Sequence, residues 1–168
     1  MRTIIGVMGS GRPLDGAALH VAHDLGARIA AEGWVLLTGG RAAGVMDAAS
    51  QGARENGGLV VGVLPDEDAT NASPHLDIAI LTGMGDARNV VNVLSSDVVI
   101  ALPGGAGTVS EVALALNAGR TVIALGWDPG AALRGSADNR LLDASDIDEA
   151  IGLVKRALRT SGKMKREP

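Results

Sequence analysis

The sequence predicts an α/β protein built on a doubly wound, mostly parallel open sheet with helices on both faces. Three observations carry this. Short runs of Val, Ile and Leu alternate with longer Ala-rich segments of helical period. The runs are apolar throughout, as strands covered on two faces must be. Phe and Tyr are absent, and the only Trp residues are Trp34 and Trp127. The core is therefore built from Val, Leu, Ile and Ala, which suits helices packed closely on a parallel sheet.

The elements follow in order. Residues 3–8 (TIIGVM) open the sheet with β-branched side chains and stop at a glycine turn. An Ala-rich helix spans 15–31 and leads to the strand 34–38 (WVLLT). A second helix, 43–56, leaves another glycine turn and returns the chain to the strand 59–64 (LVVGVL). The polar loop 65–77, with Asp66, Glu67 and Asp68, precedes the strand 77–81 (DIAIL). It is expected to be solvated, the alternative being a lid. A helix over 86–95 feeds the strand 97–102 (DVVIAL). A helix over 108–118, the strand 121–125 (TVIAL) and a helix over 146–159 complete the chain. The pattern is Rossmann-like. Residues 1–160 read as one domain without repeat or linker, and residues 161–168 as a polar, basic, flexible tail.

Composition excludes several classes. Net charge is −4 and the isoelectric point about 5.3, and aromatic stacking platforms are scarce, so no nucleic-acid partner is expected. There is no cysteine, hence no disulfide or thiolate metal site. Neither a signal peptide nor a run of 18 apolar residues is present, so a cytoplasmic protein without membrane contact is expected. The only lysines are Lys155, Lys163 and Lys165. A pyridoxal-phosphate enzyme needs a lysine Schiff base, so that cofactor, and lysine decarboxylation with it, is disfavoured.

Four loops are candidates for ligand contact: Gly9-Ser10-Gly11-Arg12-Pro13; Thr38-Gly39-Gly40 onward to Met46; Gly83 to Asn89; and Pro103 to Glu111. A glycine turn opening a helix offers unpaired N–H groups at a positive dipole end, which is an anion site. Three such turns at one sheet edge, with Arg88 on the remaining loop, point to a phosphorylated ligand. The dinucleotide fingerprint fails, because Leu14 stands where its third glycine belongs and the second strand ends at Thr38 rather than an acid. The Gly-Lys-Ser/Thr ending of a P-loop is absent too.

The segments TGGRAAGVMDAASQGA, ARN and PGGAGTVSEVALAL resemble the LOG-like superfamily, often labelled "lysine decarboxylase-like", which includes the cytokinin-activating phosphoribohydrolases. Its signature PGGxGTxxE is matched by Pro103, Gly104, Gly105, Gly107, Thr108 and Glu111. The likeness covers roughly residues 3–125. GMGDARN and GTVSEVALAL are more similar to the molybdenum-cofactor carrier branch than to the hydrolases. The resemblance implies that the Gly104-Gly105-Ala106-Gly107-Thr108 backbone and the Thr108 hydroxyl hold a phosphate, with Gly39 and Gly40 approaching from the neighbouring strand. It further implies that Arg88 and Glu111 match the hydrolases' functional arginine and carboxylate. The hydrolases have Arg-Lys where this chain has Arg88-Asn89, a departure that weighs against hydrolysis.

Each candidate has a purely structural rival. Thr108 and Glu111 have capping-box spacing. Arg88 is positioned to pair with Asp86 or Asp47, and Asp86 to cap the helix. His20 and His23 lie three apart on a helix but do not amount to a metal site, and none is expected. Ser110 lacks a local base and reads as a helix residue. The nearly all-apolar helix 108–118 needs cover on a second face, so a homo-oligomer, dimer or tetramer, is expected partly through it. The expected function is carriage of a phosphorylated, nucleotide-like small molecule such as molybdenum cofactor, with no cofactor required. The alternative is a nucleoside 5′-monophosphate phosphoribohydrolase using Glu111 and Arg88, releasing free base and ribose 5-phosphate.

Overall fold

A computed structural model describes residues 1–12 and 15–163; Pro13, Leu14 and the last five residues of the expected tail lie outside them. The chain runs β1 (Ile4–Met8), α1 (Gly16–Ala31), β2 (Val35–Thr38), α2 (Gly44–Glu55), β3 (Leu59–Leu64) and β4 (Ile78–Leu81). A 3-10 turn (Gly85–Arg88) leads into α3 (Asn89–Ser95), then β5 (Val98–Ala101), α4 (Ala106–Asn117) and β6 (Thr121–Leu125). The last elements are α5 (Ala131–Gly135), β7 (Leu141–Ala144) and α6 (Ile147–Thr160). The strand order is β4-β3-β2-β1-β5-β6-β7, with every neighbouring pair parallel. The chain winds outward from β1 to β4, then crosses back to β5 on the other side of β1. That reversal makes the carboxyl ends of β1 and β5 the switch point, where an open α/β sheet admits a ligand.

Helices α1, α2 and α6 cover one face, over a core that includes Ile5, Leu25, Leu36, Ile100 and Ile151. On the other face α3 and α4 lie over β1, β5 and β6, burying Met8, Val99, Val112 and Leu116. Helices α1 and α2 touch backbone to backbone: a Cβ on Gly26 would strike the Ala49 carbonyl, and one on Gly52 the His23 carbonyl. The second face is covered unevenly. Beyond β2 it reaches Ile78 and Ile80 of β4, which are 47% and 42% exposed.

The expected strands and long helices are present with ends shifted by a few residues. The predicted helix over 86–95 is split into the 3-10 turn and α3. The predicted helix over 108–118 starts two residues earlier, at Ala106. Two elements escaped the sequence reading. LLDA (β7) has no β-branched residue and carries Asp143 at an edge, and α5 is only five residues long.

Candidate functional site

A cleft of about 260 Å³ lies at the switch point. Gly9, Ser10, Gly11 and Arg12 after β1, Gly39 after β2, Arg88 and Asn89 at the start of α3, and Gly105 to Thr108 of α4 line it, together with Glu111. The loops are tied to one another: the Ser10 N–H donates to the Pro103 carbonyl (3.2 Å) and the Val45 N–H to the Ser10 carbonyl (2.9 Å). Most predicted residues thus share one space. Thr38, Gly40 and Gly104 stand behind it. The Thr38 hydroxyl accepts the Gly40 N–H (3.1 Å), which pins the turn. A Cβ on Gly104 would collide with the Thr108 hydroxyl oxygen, so glycine there lets that side chain fold against the loop.

The capping-box reading of Thr108 and Glu111 is overturned. Gly105 is the N-cap, so Thr108 is the third helical residue and Glu111 the sixth, and no side chain caps α4. Helices α1 and α6 differ, being capped by Asp15 and Asp146. With glycine at the N-cap, the missing side-chain cap forgoes about a few tenths of a kcal/mol. In exchange, the first amides of α4 face the cleft without an intrahelical partner, at the positive end of the helix.

Opposite these amides is a buried polar cluster. Arg88 is only 9% exposed. Its Nη1 donates to Asn89 Oδ1 (2.6 Å) and, at 3.4 Å, to Glu111 Oε1, while Nη2 reaches the Gly39 carbonyl at 3.5 Å. Asn92, fully buried, donates from Nδ2 to the same Glu111 Oε1 (2.8 Å). Within the cluster, Arg88 Nε and Asn92 Oδ1 have no hydrogen-bond partner among the described residues. Arg88 therefore pairs with neither Asp86 nor Asp47. Asp47 accepts from the Ser73 hydroxyl (2.6 Å), and Asp86 lines the cleft without capping α3.

Burial pushes the Glu111 carboxyl above its ordinary range, against the Asn92 hydrogen bond and the Arg88 charge, which pull it down. Burial likewise holds the Arg88 guanidinium below its usual value, with Glu111 acting to raise it. In both groups the cost of losing water outweighs the attraction across a long ion pair. Asn92 was missed from sequence. Its one signal is a polar residue four positions after Arg88 in the otherwise apolar VVNVL (90–94).

The remaining candidates fall elsewhere. His23 contacts Glu55 (2.9 Å) and Asp24 (3.3 Å), and among the described residues no group of three or more His, Asp or Glu is gathered for a metal. Ser110 is exposed on α4. The 65–77 loop is anchored to the second glycine turn: Arg41 pairs with Asp66 (2.8 Å), and the Ser73 N–H donates to the Gly40 carbonyl (2.8 Å). Among the described residues no helix is long and apolar enough to cross a membrane.

A parallel sheet wound in two directions from β1, with its glycine loops gathered at the reversal, defines the Rossmann-like class of α/β protein. Within that class the chain belongs to the SLOG cluster4 family, which matches residues 2–151. It is similar to the molybdenum cofactor binding protein of the phototrophic bacterium Rippkaea orientalis, with 49% identity and a TM-score of 0.90 over 94% of this chain and 98% of that one. The molybdenum cofactor carrier protein of Chlamydomonas reinhardtii is 46% identical, with a TM-score of 0.87 over 95% and 99% of the two chains. A cytokinin riboside 5′-monophosphate phosphoribohydrolase of Mycobacterium tuberculosis is 36% identical over 109 residues, 60% of this chain and 54% of the hydrolase. The chain thus spans about half of that enzyme. The resemblance to the LOG superfamily, and within it to the cofactor carriers, holds.

Proposed function

We propose that the protein is a carrier-type binder of a phosphorylated, nucleotide-like small molecule, of which molybdenum cofactor is the specific candidate. One observation carries this reading. The uncapped start of α4 opens into the same cleft as a buried arginine whose acidic partner, Glu111, sits at 3.4 Å. An anion placed there gains the Ala106, Gly107 and Thr108 amides and complements the weakly paired Arg88 charge. The likeness to two cofactor-binding proteins over nearly their full length supports the choice of cargo. No resident cofactor is invoked. The acidic chain and its scarcity of aromatic platforms favour a small molecule over a nucleic acid, and a cytoplasmic setting is part of the same reading.

The phosphoribohydrolase reading rests on Glu111, a buried carboxyl lining the cleft beside the proposed phosphate position. In such an enzyme it would stabilise positive charge on the sugar as the N-glycosidic bond breaks, as carboxylates do in glycoside hydrolysis. Here its Oε1 is already held by Asn92 and Arg88, which favours binding over turnover. Calorimetry against a panel of nucleoside monophosphates and pterin phosphates, with assay for released base, tests the proposal. Binding without turnover is expected. Absence of binding across the panel overturns it, and base release that disappears in Glu111→Ala replaces it with the hydrolase.

A further inference from the structure

The cleft holds more than an anion cradle. Its α4 amides and the Arg88 guanidinium can only donate. Two carboxylates, Glu111 and Asp86, line it as well, and they differ in how they are occupied. Glu111 Oε1 receives Asn92 and Arg88. Asp86 is exposed and caps neither its own 3-10 turn nor α3. Arg88, two residues on, pairs with Glu111 instead, and among the described residues nothing hydrogen-bonds or ion-pairs with the Asp86 carboxylate.

The backbone that carries Asp86 is nonetheless pinned. The Thr82 N–H and hydroxyl both donate to the Leu64 carbonyl at the end of β3 (3.2 and 2.7 Å). The Gly83 N–H donates to the Asp66 carbonyl (3.1 Å) and the Gly85 N–H to the Pro65 carbonyl (3.0 Å). Gly83 and Gly85 have φ of +61° and +54°, which lets the chain fold back onto that loop and then enter the 3-10 turn. Burial dominates the titration of Glu111 and Arg88, yet the Asp86 charge also reaches both, acting to raise each.

A carboxylate beside a phosphate site weakens it by like-charge repulsion. With no partner from its own chain, Asp86 is complementary to a donor that the ligand brings. Its two oxygens accept two N–H groups side by side. A ring with an amino group next to a ring N–H presents such a pair. Adenine offers an amino group beside a ring acceptor, and hypoxanthine a single N–H.

We infer that Asp86 is a specificity-determining residue of the cleft, accepting the paired N–H groups of a 2-amino-oxo ring, the edge shared by guanine and pterin. The inference rests on the phosphate reading given above.

Calorimetry with GMP, IMP and ribose 5-phosphate on the full chain tests it, in the wild type, Asp86→Asn and Asp86→Ala. IMP lacks only the 2-amino group of GMP. The wild type should bind GMP about tenfold more tightly than IMP, as expected for a hydrogen bond to a charged acceptor. Both variants should lose that preference while binding IMP and ribose 5-phosphate at least as tightly as the wild type does. Equal affinity of the wild type for GMP and IMP, or a preference that survives in both variants, overturns the role of Asp86 alone. So does weaker ribose 5-phosphate binding in both variants, which would assign Asp86 to the sugar, or binding that requires added magnesium, which would assign it to a cation. A wild type that binds none of the three compounds overturns the phosphate reading and this inference with it.

Discussion

At the residue scale, the informative feature is a buried carboxyl and a buried guanidinium joined only by a long ion pair of 3.4 Å. Glu111 titrates above the ordinary carboxylate range because burial outweighs its partners. The sign follows directly. Between the unfolded and folded values, the folded chain keeps a proton that the unfolded chain has released. Stability from this group is full below the ordinary range and is lost as pH rises through the folded value. Asn92 opposes the shift through its 2.8 Å bond to Oε1. Asn92→Leu should therefore move the Glu111 pKa further upward. Carbon-13 NMR titration of labelled glutamate measures it, and an unmoved or lowered value would show that Asn92 does not hold the carboxylate. Arg88 and Glu111 were legible as candidates from their motifs. Asn92 was not, because its role depends on α3 facing α4, and no local pattern reports that pairing.

At the scale of the element, the start of α4 decides the account. Sequence spacing offered Thr108 and Glu111 as a cap. The helix begins instead at Ala106, and no capping side chain in Gly-Gly-Ala-Gly marks that first turn. Helix ends are set by competition between caps and tertiary contacts, so this boundary was illegible while the helix itself was plain. The consequence is testable at Gly105, which has φ −93° and open space around an added Cβ. Gly105→Asp should cap α4 and complement its dipole, raising stability by about 0.5 kcal/mol. The same carboxylate would sit where the ligand anion belongs, so phosphate-ligand affinity should drop at least tenfold. Thermal denaturation and calorimetry read the two effects. Full retention of affinity would place the anion elsewhere.

For the whole molecule, the two windings of the sheet produce both the cleft and an unevenly covered face. The parallel, doubly wound sheet follows from the alternation of apolar runs and helices, and that much was legible. The edge strand β7 was not, since an edge needs less β-branched, two-sided burial. On α4, where a subunit contact was expected, Val109 is 37% exposed, whereas Val112, Ala115 and Leu116 face the core. Larger exposure falls on Ile78 and Ile80 of β4 and on Leu94 of α3, at 54%. Apolar side chains of this size in one region favour association between copies. A homo-oligomer joined through these elements should dissociate when Ile80 and Leu94 are both changed to Glu. Sedimentation would show it, and a monomeric wild type would refute it.

The central claim is that the cleft at the β1–β5 reversal holds the phosphate of a small-molecule cargo. Native mass spectrometry of gently purified protein tests it most directly. The account predicts up to one phosphorus-containing ligand per chain, released intact on denaturation and absent from Gly105→Asp. A wild-type chain that remains bare after incubation with nucleotide and pterin phosphates, or a ligand retained equally by Gly105→Asp, would contradict it.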